Sequence, residues 1–72
     1  MSARRIKVVF ADTIEAETFE NFAVVLEIFG STYKTHERVV LILPDPSRAS
    51  DLKLQLAEWE REGAVLSWSD AT

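Results

Sequence analysis

Seventy-two residues, a formal charge of −4, a single histidine and no cysteine set the first limits. A chain of this length makes one domain, and the missing cysteine removes disulfides and Cys-based zinc sites. The acidic balance argues against a general nucleic-acid binder, and no apolar run is long enough to span a bilayer.

Residues 5–11, Arg-Ile-Lys-Val-Val-Phe-Ala, predict a first strand. Ile6, Val8 and Phe10 share one face; Lys7, Val9 and Ala11 share the other. The basic start followed by this apolar stretch mimics a leader only weakly, because Lys7 interrupts it and Asp12 and Glu15 follow at once. A cytoplasmic location is the expectation, in keeping with the lack of cysteine.

Asp12 to Glu15 then open a helix expected to run to about Phe29. Asp12 or Thr13 would accept from free first-turn amides, Glu15 and Glu17 suit the positive end of the helix, and Gly30 is the expected stop. Phe19, Phe22, Ala23, Leu26 and Phe29 recur at helical spacing. Val24, Val25 and Ile28 widen that stripe past half the circumference. Ser31 to Glu37 read as a polar connection.

Residues 38–43, Arg-Val-Val-Leu-Ile-Leu, predict a buried central strand, ended by Pro44-Asp45-Pro46. A second helix starts between Pro46 and Ser50 and runs to about Glu62, with Ala49, Leu52, Leu56 and Trp59 inward and Gly63 as its stop. Ala64 to Trp68 predict a third strand.

The order is therefore β-α-β-α-β, an α/β fold in a single domain over residues 1–72. Right-handed crossovers then imply a three-stranded parallel sheet. Strand order 1-2-3, with both helices on one face, is favoured over 2-1-3. The strand at 38–43 is the most apolar, as a middle strand should be, and the outer strands are bulky on one face and small or polar on the other.

One sheet face would then need a cover, as would the back of the first helix. The residues expected to meet a partner are Val9, Val24, Val25, Ile28, Val40 and Ile42, with Val39, Leu41 and Leu43 as the alternate set on the central strand. A non-enzymatic interaction module follows, one that homo-oligomerises or docks on a larger protein.

The parallel arrangement would also gather the strand C-terminal ends, and with them Asp12, Asp45 and Asp70, on one edge. Clustered carboxylates can hold Mg²⁺, so Asp12 and Asp45 are the candidate ligands of an alternative, phosphate-handling function. The simpler reading takes precedence and needs no cofactor. Asp12 caps a helix and Asp45 precedes a helix-starting proline. The other edge would gather Arg4, Arg5, Lys7, Lys34, His36 and Arg38, offset by helix ends and interleaved acids. His36 has no Ser or Cys nucleophile at a telling spacing, and no glycine-rich loop is present to cradle a phosphate.

Overall fold

The computed structural model describes residues 5–70. The chain runs β1 (Ile6–Phe10), α1 (Ala16–Leu26), β2 (Gly30–His36), β3 (Val39–Pro44), a 3₁₀ turn over Pro46–Arg48, α2 (Ala49–Glu62) and β4 (Val65–Asp70). The four strands form one sheet in the order β2-β3-β1-β4. Every neighbouring pair is antiparallel.

This corrects the expectation of a three-stranded parallel sheet in order 1-2-3 or 2-1-3. The residues responsible lie in Ser31 to Glu37, read as a polar connection after a helix stop at Gly30; Gly30–His36 is instead a strand. They pair with β3 through Ser31↔Leu43, Thr32↔Ile42 and Tyr33↔Leu41, and the tight turn Glu37-Arg38 joins the two strands. A hairpin reverses the chain, so β3 enters the sheet pointing the opposite way from β2 and from β1. β1 and β2 still run in the same direction across α1, but β3 lies between them. β3 and β4 likewise run together across α2, with β1 between. This is the split β-α-β, or ferredoxin-like, topology. It is a fold that hosts unrelated activities and transfers none of them.

The helix ends follow local chemistry more closely. Gly63 closes α2 at φ 90°, donating to the Glu60 carbonyl while Ala64 donates to that of Trp59. Those two bonds satisfy carbonyls that the helix leaves free, and the left-handed backbone suits a residue without a Cβ. α1 behaves differently. It starts at Ala16 rather than at Asp12, with Glu15 as an N-cap whose side chain makes no capping bond. It ends at Leu26, followed by a turn in which Ile28 and Phe29 donate to Val25 and Leu26. Gly30 is not its stop. It begins β2 opposite Pro44, so close to that strand that a Cβ would lie 2.2 Å from the Leu43 carbonyl oxygen.

The core lies between one sheet face and both helices. Ile6, Val8 and Phe10 of β1, Val40 and Ile42 of β3 and Val65 of β4 pack with Phe19 and Leu26 of α1 and Leu52, Leu56 and Trp59 of α2. Phe10 stands at its centre. Its ring is 5.5 Å from Phe19 edge-on, 5.4 Å from Phe22 in a stack and 6.0 Å from Trp59. Phe22 and Trp59 meet edge-on at 4.7 Å, so one aromatic cluster ties β1 to both helices. Among the described residues no polar or charged side chain is buried in this core.

Arg38 fastens the hairpin to the rest of the molecule. Its backbone sits at φ 66°, a left-handed conformation that a side chain makes costly. Its guanidinium donates to the Ile14 carbonyl at 2.9 Å and lies 5.2 Å from the Phe19 ring centroid. Its own carbonyl accepts from the Phe10 amide at 2.8 Å. These contacts hold the strained turn in place.

Candidate interaction surface

Strand alternation divides the sheet residues between two faces, and the pairing register says which residues share a face. Val8 opposes Val40 and Ile6 opposes Ile42, all of them in the core. Lys7 opposes Leu41 and Val9 opposes Val39, and these four stand on the face without helices. Across β3, Leu41 opposes Tyr33 and Leu43 opposes Ser31. Across β4, Lys7 opposes Ser69 and Val9 opposes Ser67. The open face is therefore an aliphatic strip of Val9, Val39, Leu41 and Leu43 on the two central strands, bordered by Ser31 and Tyr33 on β2 and by Ser67 and Ser69 on β4, where Leu66 is exposed at the register shift beside Val9.

The charge on this face is one-sided. Lys7 sits in its centre, and the Arg5 guanidinium lies 5.9 Å from the Tyr33 ring centroid. No Asp or Glu pairs into the face. Asp70, among the described residues the only acid within a strand, opposes Ile6 and so belongs to the other side. At one corner Glu27 and Asp45 line a depression together with Ser31 and Leu43. Among the described residues neither Arg5 nor Lys7 makes an ion pair.

The residues expected at an interface fall into three groups. Val9 is half-buried on the open face. Val24 and Ile28 lie on the outer side of α1 and its following turn, 59 % and 58 % exposed, while Val25 is half-buried against the core. Val40 and Ile42 are fully buried beneath the helices, which leaves nothing of them for a partner to touch. The other alternate set of β3, Val39, Leu41 and Leu43, takes the outward position. Parity explains the exchange. Once Val8 pairs with Val40, the bulky face of β1 commits the even-numbered residues of β3 to the core.

The carboxylates expected to share an edge do not meet. Asp12 follows the C-terminal end of β1 and Asp45 that of β3, and antiparallel pairing puts those ends on opposite edges of the sheet. Both side chains are exposed, and among the described residues no three His, Cys, Asp or Glu groups converge on a point that could hold a metal ion. The expected cationic edge is dispersed for the same reason. Arg5 lies at the start of β1, and Arg38 lies at its end through the bond to Phe10. Lys34 reaches across to Glu20 of α1. Arg4 lies outside the described residues. Among the described residues no helix is long and apolar enough to cross a membrane.

Comparison with family models, with characterised proteins and with solved structures returns no match to this chain.

Tyr33, Lys7 and Arg5 complete the surface, and sequence pattern alone does not join them to Leu41. The missing information is the register of a strand that the polar run Gly-Ser-Thr-Tyr-Lys-Thr-His does not advertise.

Proposed function

We propose that the chain is a non-enzymatic interaction module that associates with another protein surface, of its own kind or of a larger partner, through its open sheet face. The observation that carries this reading is the one-sided covering of the sheet. Both helices pack on the same face, and the aliphatic strip Val9, Val39, Leu41 and Leu43 on the other has no part of the described chain over it. Burying such a strip yields about 25 cal/mol for each Å² of apolar surface removed from water. A small domain has few other sources of stability, which makes a partner on that face physically useful. The cysteine-free composition fits a reducing, cytoplasmic setting.

A hydrophobic dye titration alongside sedimentation tests the reading. The expected outcome is either concentration-dependent association or dye binding by the monomer, each abolished by Leu41→Asp. A monomer that binds no dye at this face would remove the proposal.

A further inference from the structure

We propose that two patches of this chain are each other's partners, so that copies associate head to tail, the outer side of α1 of one copy lying on the open sheet face of the next. This rests on the interaction reading above and adds to it the identity of the partner.

The sheet face alone does not complement itself. A two-fold contact would bring the same surface against its copy. Lys7 in the centre of one sheet would then face a surface that carries Arg5, Lys7 and Tyr33 and no paired acid. Desolvating a cation without a counter-charge is costly, and like charges brought together add to that cost.

The outer side of α1 has the opposite character. The helix contains Glu17 and Glu20 and no Lys or Arg. Val24 is exposed in its last turn, with Glu20 and Asn21 one turn before it and Glu27 and Ile28 just past the helix end, at a spacing that continues the same side. Of the acids, Glu20 is engaged by Lys34, while among the described residues Glu17 and Glu27 make no ion pair. Two cations border the patch: Lys34 through that pair with Glu20, and Arg48, which donates to the Ile28 carbonyl at 3.1 Å. Val24 and Ile28 thus form an apolar spot whose unpaired charges among the described residues are the carboxylates Glu17 and Glu27, while Leu41 and its neighbours form an apolar strip whose unpaired charges are Lys7 and Arg5, with acids meeting it only at the Leu43 corner. Each patch repels its own copy and complements the other.

Such a contact uses different surfaces on the two copies. It propagates into a chain, or closes into a ring if the rotation between copies permits. Any open chain of copies keeps one free surface of each kind, which makes the test decisive.

Two variants are prepared, Leu41→Asp to block the sheet face and Val24→Asp to block the helix. Each is first checked by circular dichroism. Lys7→Glu, at an exposed position, serves as a second sheet-face variant should Leu41→Asp unfold. Sedimentation equilibrium over a concentration series then reads association. The wild type is expected to grow beyond a dimer. Each variant alone is expected to associate about thirtyfold or more weakly, the factor that corresponds to loss of a principal interface anchor. An equimolar mixture is expected to form a discrete one-to-one pair, because each variant keeps the surface the other lacks.

Two results overturn the proposal. A Val24→Asp protein that still dimerises like the wild type would mean a sheet-to-sheet contact. A wild type that stays monomeric throughout would mean that copies do not bind at all. The dye titration separates that second case from failure of the broader reading. A monomer that binds dye in a Leu41-dependent way keeps the open face as a site for a different protein, and a monomer that does not loses both.

Discussion

Val40 and Ile42 on one side of β3 and Val39, Leu41 and Leu43 on the other are drawn from the same residue types, yet they have different roles. The first pair is at 0 % exposure beneath two helices. The second set is half-buried or exposed on a sheet face with no helix above it. Composition does not separate them. What does is pairing with β1, whose faces are unequal, with Ile6, Val8 and Phe10 on one and Lys7 and Val9 on the other. A strand apolar on both faces is usually covered on both. Here one of the covers is missing from the described chain.

Substitutions on the two sides of β3 and along its hairpin turn this contrast into numbers. Ile42→Ala should have the largest effect, about 2–5 kcal/mol of stability, since it opens a cavity in a fully packed site. Urea unfolding followed by tryptophan fluorescence reads it directly, because Trp59 belongs to the same core. A loss no larger than that of a surface truncation would contradict the assignment of the even-numbered residues to the core.

Gly30→Ala is expected to come next, at about 1–3 kcal/mol, the usual range for forcing extra volume into a packed site. The added Cβ meets the backbone of Leu43 and Pro44, which has little freedom to retreat. Amide exchange should locate the damage in the β2–β3 pairing, with the β1–β4 pairing protected much as before.

Arg38 offers a finer test, because its backbone and side chain pull in opposite directions. Arg38→Ala should cost about 1–2 kcal/mol through loss of the bond to Ile14 and the contact with Phe19, in the range for a charged hydrogen bond. Among the described residues the buried Nε of Arg38 finds no hydrogen-bond partner, which offsets part of what the side chain contributes. Arg38→Gly removes the same contacts but relieves the left-handed backbone, so it should recover about 1 kcal/mol relative to the alanine variant. Equal unfolding midpoints for the two would mean that the turn is not strained.

The smallest effect is expected at Leu41. Truncation to alanine in dilute solution should cost about 1 kcal/mol or less, because the side chain loses only a half-covered environment. The contrast with Ile42, one residue away, should narrow as protein concentration rises if a partner copy covers the open face.

Much of the local structure was legible in the residues. β1, β3, β4 and α2 lie within a few residues of where pattern and punctuation place them, and Gly63 stops α2 as a left-handed cap. The inner residues of α2, Leu52, Leu56 and Trp59, are buried as their spacing implies. The hidden element was β2. Gly30 to His36 holds one aromatic residue and no aliphatic one, because an edge strand with most of its side chains in water has little need of them. Its omission carried a large consequence. Without the hairpin, two helical crossovers seem to demand a parallel sheet and to bring Asp12 and Asp45 to one edge. With it, β3 is reversed and the two carboxylates part.

The sequence by itself determined where the chain is apolar, which stretches form helices and where α2 stops at Gly63, because those depend on residues a few positions apart. Strand direction, the register that turns Val40 inward and Leu41 outward, and the meeting of Arg5, Lys7 and Tyr33 on one face depend on pairing between distant segments. They were decided only in the tertiary structure, where a one-residue shift in register exchanges one face of a strand for the other.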